Sequence, residues 1–159
     1  MKILVFSDSH GKAKNIEKAL EIHGGVCDLV VFLGDGIKDI EYIKGKYPKI
    51  TFYSVKGNCD MMAESYPGTG VLDLDGIRVL ITHGHLYNAK YGTSRLVYAA
   101  LEKEADAVFF GHTHTPTDEI IDCDDKRVHI FNPGSIGYGG TYGVVNTSGR
   151  SLVCSHGKI

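Results

Sequence analysis

Short apolar runs that stop abruptly at glycine, aspartate or histidine occur four times in this chain. They lie in residues 3–10, 29–35, 80–85 and 109–114. A short apolar run bounded by turn residues is typical of a buried strand. In open α/β sheets, ligands bind just beyond the carboxyl ends of the strands. The four runs therefore predict buried strands whose ends present carboxylate and imidazole groups to one site.

Strands and helices alternate in the first third of the sequence. Residues 2–7, 28–33 and 50–55 have the apolar composition of strands, and apolar residues recur at helical spacing over residues 16–23 and 37–43. Strands that alternate with helices are typical of βαβ units. This part of the chain therefore predicts a largely parallel sheet.

The later part of the sequence is predicted to be mainly β. Asp75 and Gly76 separate two apolar runs, residues 71–74 and 77–82, in the manner of a two-residue hairpin turn. One more helix is predicted around residues 96–101. Five further strands are predicted at residues 107–110, 118–123, 127–131, 142–146 and 152–154. Helices first and hairpins last favour an α/β fold of two facing sheets with helices on the outer faces.

Length and charge limit the functional classes. A chain of 159 residues suits one domain, which we expect to cover residues 1–159. The net charge of −2 provides no broad basic surface for nucleic acid or an anionic membrane. No apolar run approaches the roughly 20 residues that a spanning helix needs, so we expect no membrane association.

The cysteines favour a reducing compartment. Cys27, Cys59, Cys123 and Cys154 are far apart and form no CxxC pair, and the chain opens without an apolar leader. We therefore expect free thiols and a cytoplasmic location.

The strand ends and the loops after them supply a set of potential metal ligands. The candidate donors are Asp8, His10, Asp35, Asn58, His83, His112 and His114. Carboxylate, amide and imidazole donors suit Mn²⁺, with Fe, Ni, Co or Zn as alternatives, whereas structural zinc sites are usually rich in cysteine. This set exceeds the needs of one ion, so we expect two divalent metal ions. Asp35, which lies midway among the ligand loops, is the predicted bridging carboxylate.

Each of these motifs is weak by itself, and their conjunction carries the prediction. Gly57 and Asn58 form a common turn dipeptide, and an Asp-x-His sequence after a strand is often only a turn. The pair His112 and His114 carries more weight, because buried strand ends rarely hold two imidazoles without a ligand. Three other histidines lack such a setting and are expected on a helix face, a strand surface and the tail, respectively: His23, His129 and His156.

Five short blocks resemble, in this order, those of the calcineurin-like metallophosphoesterase superfamily. The blocks are Asp8-Ser-His10, Gly34-Asp35, Gly57-Asn-Cys-Asp60, Thr82-His-Gly-His85 and Gly111-His-Thr-His114. Asn132-Pro-Gly-Ser135 also resembles the block that closes the small single-domain bacterial and archaeal phosphodiesterases of this superfamily. The resemblance implies a four-layer αββα sandwich. It also implies how the ligands divide, with Asp8, His10, Asp35 and His114 at one metal ion, and Asp35, Asn58, His83 and His112 at the other.

Position 59 departs from the pattern of many relatives, which carry a histidine there beside the leaving-group oxygen. Cys59 takes that place in this chain. Protonation of a leaving oxygen is worth about 10²–10⁴-fold, so we expect slow cleavage of esters with poor leaving groups. His85 is the alternative proton donor. The predicted catalytic residues are Asp35, Asn58, Cys59, Asp60 and His85.

The resemblance and the donor chemistry together predict a phosphodiesterase that acts on a small phosphoester. Two cations would polarise a phosphoryl oxygen and lower the pKa of a bridging water, which gives a hydroxide nucleophile. The expected net charge of the metal site is matched better by a diester, which carries one negative charge, than by a monoester, which carries two. This holds provided that neither Lys12 nor Lys56 reaches the phosphate.

Three other functions are weighed against this one. A phosphomonoesterase would need extra positive charge, and a nuclease would need a basic groove with interleaved aromatic residues, which the sequence lacks. Nucleic acid is therefore disfavoured as a partner, while assembly into a homo-oligomer is left open. A protein-binding scaffold, such as the retromer subunit that resembles these enzymes in fold, has lost part of the ligand set. This chain keeps every ligand position, which favours an enzyme.

Overall fold

Two five-stranded sheets form the framework of the chain, which a computed structural model describes over residues 1–159. The strands are, in chain order, β1 (Lys2–Phe6), β2 (Leu29–Phe32), β3 (Thr51–Ser54), β4 (Thr69–Leu74), β5 (Ile77–Thr82), β6 (Ala107–Phe109), β7 (Thr117–Asp122), β8 (Arg127–Asn132), β9 (Thr141–Ser148) and β10 (Ser151–Lys158). The helices are α1 (Ala13–Ile22), α2 (Ile37–Lys46) and α3 (Ser94–Glu102). Two 3₁₀ turns, His85–Tyr87 and Ala89–Tyr91, lie between β5 and α3.

The first sheet has the strand order β10-β9-β1-β2-β3. β1, β2 and β3 are parallel, with Val5 opposite Val31 and Val31 opposite Tyr53. This pairing confirms the parallel sheet predicted from the alternation of strands and helices. β9 pairs antiparallel with β1, and β10 pairs antiparallel with β9, so the last hairpin extends the same sheet on its other side.

The second sheet has the order β4-β5-β6-β8-β7 and begins with the predicted hairpin. Leu74 lies opposite Ile77 across the turn. Asp75 and Gly76 have φ angles of 56° and 81°, as a type I′ hairpin turn requires. β5, β6 and β8 are parallel, whereas β7 is antiparallel to β8. Both sheets are therefore mixed.

The side chains of β1 show why the sheets stack in four layers. Successive residues of a strand point to opposite faces of the sheet. Ile3 and Val5 join the apolar cluster between the two sheets, whereas Leu4 and Phe6 join the cluster under α1 and α2. A third cluster packs α3 against the outer face of the second sheet. The order helix, sheet, sheet, helix confirms the αββα sandwich.

The expectation that His156 lies in a tail is wrong. β10 continues to Lys158, far beyond the predicted residues 152–154. His156 Nε2 lies 2.7 Å from the Asn132 carbonyl oxygen, and its ring stacks on Phe131 at 4.9 Å between centroids. Pairing with β9 holds the polar end of this strand in the sheet. It therefore needs no apolar pattern, and nothing in the sequence indicated it.

The four cysteines form no disulfide. Cys27, Cys59, Cys123 and Cys154 are all free, as predicted.

None of the helices combines the length and the hydrophobicity that crossing a bilayer requires.

Candidate metal centre

The predicted ligands meet where parallel strands end, and most of them have a strained backbone. Positive φ angles occur at Asp8 (56°), His10 (46°), Asp35 (58°), His112 (69°) and His114 (60°). Such a conformation costs a residue other than glycine about 1–3 kcal/mol and is concentrated at functional sites. Backbone hydrogen bonds hold it in place, since Asp8 N donates to the Gly34 carbonyl and His10 N to the Asp35 carbonyl.

Two glycines allow the ligand loops to approach each other closely. A side chain at Gly57 would collide with the Asp35 carboxylate, and one at Gly111 would collide with Ser7 beside Asp8. Neither position can accept a Cβ without moving a candidate ligand. The glycines in these blocks are therefore required by the packing around the two carboxylates.

The first group of donors surrounds Asp8, which is fully buried. Its Oδ2 accepts hydrogen bonds from the Ser7 hydroxyl and from the His112 backbone N–H. Its Oδ1 lies 3.1 Å from His114 Nε2 and 3.8 Å from His10 Nε2. Asp8, His10 and His114 each offer one donor atom within 4.8 Å of the others, a spacing that suits one cation.

The second group joins Asp8 and Asp35 to His83, which is also buried. His83 Nδ1 lies 2.7 Å from the Leu33 carbonyl oxygen, so Nδ1 carries the proton and donates it. The lone pair of Nε2 then points between Asp35 Oδ2, at 3.4 Å, and Asp8 Oδ1, at 3.8 Å. A second-shell carbonyl that fixes the tautomer in this way is common for metal-binding histidines.

The chemistry of these donors fits divalent cations. The Nε2 atoms of His10 and His83 are buried and have no hydrogen-bond partner, and both face two buried carboxylates. Burial raises the pKa of Asp35, but His83 and the Cys59 backbone N–H outweigh burial and hold that pKa well below its usual range. Buried nitrogens that lack a hydrogen-bond partner are costly, and a cation bound between them and the carboxyl groups would remove that cost.

His112, His85 and Asn58 lie beside these groups rather than within them. The His112 ring is 5.0 Å from the His83 ring and 6.2 Å from the His85 ring. Burial is the largest of the causes that lower the pKa of His112 to about 4, so its ring is neutral and able to bind a metal. Burial also lowers the pKa of His85, whose Nδ1 has no partner. The Asn58 side chain lies in the exposed loop, 3.4 Å from Cys59 Sγ.

Cys59 is closer to the candidate ligands than its exposed position indicates. Its sulfur forms a third donor group with His10 and Asp35, and its backbone N–H donates to Asp35 Oδ1 at 2.8 Å. Burial and the nearby carboxylates of Asp35, Asp60 and Asp8 raise the pKa of the Cys59 thiol to about 11. The side chain therefore reaches the centre as a neutral thiol.

Asp60, one of the predicted catalytic residues, is held by backbone groups of the ligand loops. Its Oδ2 accepts from the backbone N–H groups of Asp35 and Gly57, at 2.7 and 2.9 Å. Its Oδ1 accepts from Gly36 and Ile37, at 2.9 and 3.0 Å, where α2 begins. Four donors hold this carboxylate to the loops, so the arrangement favours a positioning role.

Tyr138 is a site residue that the sequence did not indicate. Its ring stacks on His114 at 5.4 Å and lies 5.2 Å from the His10 ring. Lys12 Nζ lies over the Tyr138 ring, 4.8 Å from its centroid, and donates to the Gly137 carbonyl at 2.7 Å. The loop is tied to Asp8 through the Ser135 hydroxyl. The only available signal was that Tyr138 follows the Asn132-Pro-Gly-Ser135 block.

Comparison with known proteins agrees with this geometry. The family model described as "Calcineurin-like phosphoesterase superfamily domain" matches residues 1–150. A probable metallophosphoesterase of Bacillus subtilis, YsnB, is 32% identical over 137 residues, which cover 86% of this chain and 75% of that protein. The phosphodiesterase YfcE of Escherichia coli is 28% identical over 181 aligned positions, covering 96% of this chain and 91% of the relative.

Solved structures share the fold over the whole chain. A conserved uncharacterised protein of Streptococcus pneumoniae, described as a predicted phosphoesterase, has a TM-score of 0.80 at 27% identity, covering 99% of this chain and 88% of that one. Vps29 of Chaetomium thermophilum has a TM-score of 0.77 at 19% identity, covering 100% and 95%, and this likeness shows the fold alone. From the match over residues 1–150, the chain belongs to the calcineurin-like phosphoesterase superfamily.

Proposed function

We propose that this chain is a phosphodiesterase whose activity depends on two divalent metal ions. The observation that carries the proposal is the pair of buried carboxylates, Asp8 and Asp35, faced by orphaned imidazole nitrogens of His10 and His83. A scaffold has no need to bury two carboxyl groups and leave two imidazole nitrogens unpaired at their side. The matched family and the phosphodiesterase among the relatives support the same reaction class.

The chain's own residues divide the work of holding and orienting the ions. His10, His114 and Asp8 would hold one ion, and His83, His112 and Asn58 the other, with Asp35 between them. When bound, such ions polarise the phosphoryl group and supply a hydroxide nucleophile near neutral pH. The Leu33 carbonyl fixes the His83 tautomer, and Asp60 fixes the loop that carries Asp35. Short loops on rigid strands then position the phosphate for in-line displacement.

Charge at the centre favours a substrate with one negative charge. The two ions carry four positive charges, Asp8 and Asp35 remove two, and the hydroxide removes one, which leaves a single positive charge. A diester monoanion neutralises it, whereas a monoester dianion leaves excess charge in a partly desolvated cleft. Lys12, which could have compensated a dianion, is held by Gly137 and Tyr138. Asp60, in turn, is compensated by four backbone donors.

The test of the proposed function is a comparison of bis-nitrophenyl phosphate with nitrophenyl phosphate. Both release the same phenolate, and they differ in the second nitrophenyl group and in the charge of the phosphate. We expect kcat/KM for the diester to exceed that for the monoester by about tenfold or more under saturating Mn²⁺, since one uncompensated charge costs that much in a partly buried site. The measurement is made at a pH where the monoester is dianionic. Faster cleavage of the monoester would refute the phosphodiesterase assignment.

Replacing Cys59 with histidine is expected to raise turnover most for diesters with poor alkoxide leaving groups. The position lies against Asp35 and His10, where a protonated imidazole could donate to the leaving oxygen. General-acid catalysis is worth about 10²–10⁴-fold for such groups and little for nitrophenolate, which leaves without a proton. The check is a plot of log kcat against leaving-group pKa for both proteins, with Cys59→Ser as the matched control. An equal change across all leaving groups would remove position 59 from proton transfer.

A further inference from the structure

A groove runs from the metal centre along the start of α2, and the proposed mechanism makes no use of it. Its volume is about 710 Å³. His10, Asp35 and Cys59 line its inner end, so a molecule in the groove would touch the phosphate site. A phosphodiester carries an alcohol group on each side of the phosphate, and at least one of them must lie beyond the metal centre.

Apolar side chains form one wall of the groove. Met61 and Met62 follow Asp60 directly and are 85% and 88% exposed, and Ile37 and Tyr66 continue the lining. Two adjacent methionines left in water are unusual, whereas flexible, polarisable methionines are common on surfaces that bind apolar groups of varied shape. Because Asp60 is hydrogen-bonded to the backbone of Asp35 and Gly36, the position of the chain just before Met61 is fixed.

The charges around the groove are mostly negative. Asp39 and Glu41 line it beside Asp35, together with Asp60, whose charge the four backbone donors already compensate, and Lys38 is the lysine among the lining residues. Lys44, which is not among the lining residues, pairs with Glu41 and places its ammonium group over the Tyr66 ring. An alcohol that carries a further phosphate would therefore meet carboxylates, while an uncharged one would meet methionine and tyrosine.

We infer that this groove binds one alcohol portion of the substrate, and that this portion is apolar or aromatic and carries no further phosphate. The inference rests on the proposed phosphodiesterase function and names its substrate class, namely diesters of an uncharged, flat or apolar alcohol. Met61 and Met62 are specificity-determining residues in this account.

Calorimetric titration of the Mn²⁺-loaded protein with diphenyl phosphate and dimethyl phosphate tests the inference. The two ligands share the phosphodiester anion and differ in the alcohol. We expect diphenyl phosphate to bind about tenfold more tightly or better, because one ring is removed from water. The double variant Met61→Ser, Met62→Ser should reduce this preference to about threefold or less. Val26→Ser, an apolar-to-polar change at a 70% exposed position before the start of β2, should keep the full preference.

Two further readouts separate this inference from the proposed function. If both diesters bind equally well while bis-nitrophenyl phosphate is still hydrolysed, the groove assignment is overturned and the phosphodiesterase stands. If the preference for diphenyl phosphate is present but no diester is hydrolysed, the groove assignment stands and the enzymatic function fails.

The charge of the groove has its own test. The nitrophenyl ester of thymidine 5′-phosphate is compared with the same ester carrying an additional 3′-phosphate. We expect the added phosphate to lower kcat/KM, and Glu41→Lys to narrow the difference. A gain in kcat/KM from the added phosphate would overturn the requirement for an uncharged alcohol.

Discussion

Replacing Asp35 with asparagine is expected to abolish phosphodiester hydrolysis and to weaken metal binding at both positions. The Asp35 carboxylate is 3% exposed and lies 3.4 Å from His83 Nε2 and 3.9 Å from His10 Nε2. Asparagine keeps the shape of the side chain but removes the negative charge that, in this proposal, both ions would share. Because each ion contributes several kcal/mol of transition-state stabilisation, we expect kcat/KM to fall by about 10³-fold or more.

Two other histidine variants serve as comparisons for Asp35→Asn, one at a candidate ligand and one away from the centre. His114→Ala removes a donor from the group around Asp8 and should disturb one ion, while His129→Ala, whose ring pairs with Asp118 away from the centre, should disturb neither. Metal content per chain and turnover are measured for all three proteins. If Asp35→Asn kept two ions and normal turnover, the bridging assignment would be wrong.

Replacing Asp60 with alanine is expected to destabilise the protein by about 3 kcal/mol even when metal is removed. The change leaves the backbone N–H groups of Asp35, Gly36, Ile37 and Gly57 without their acceptor. An unsatisfied buried donor costs about 1–3 kcal/mol, and water entering at this half-buried position offsets part of the total. Urea unfolding in the presence of a chelator measures the loss, with Asp125→Ala on an exposed turn as the control.

The Asp60 variants also separate a positioning role from a catalytic one. Asp60→Asn retains one acceptor oxygen and should lose about half as much stability as Asp60→Ala. If Asp60 only holds the loops, the free energy of unfolding and the metal affinity fall together. A loss of kcat with unchanged stability and unchanged metal content would instead restore the catalytic role predicted from the sequence.

The framework could be predicted because its signals are local. Apolar runs such as residues 29–33 mark buried strands, and Asp75 and Gly76 fix a hairpin through their own backbone preferences. The end of β10 could not be predicted, because His156 and its polar neighbours are held by pairing with β9. That pairing depends on which edge of a sheet is free to accept another strand, and a single sequence does not show which edge is free.

The candidate ligands could be predicted because parallel strands bring their carboxyl ends to one edge. Asp8 and Asp35 follow neighbouring parallel strands of the first sheet, which accounts for their proximity. His83 follows β5 of the second sheet, and the stacking of the two sheets brings it to the same place. The four backbone hydrogen bonds to Asp60 could not be predicted, because its sequence position says nothing about which way its oxygens point. Tyr138 was missed since an exposed tyrosine in a glycine-rich turn has no periodic signal, although its ring covers two candidate ligands.

A parallel titration of bound metal and of activity tests the central claim most directly. Metal-free protein is loaded stepwise with Mn²⁺, and at each step the ions per chain and the rate of bis-nitrophenyl phosphate hydrolysis are measured on the same sample. The account predicts that binding saturates at two ions per chain and that the rate rises mainly as the second ion binds. Full activity with a single ion, or two bound ions with no hydrolysis, would contradict it.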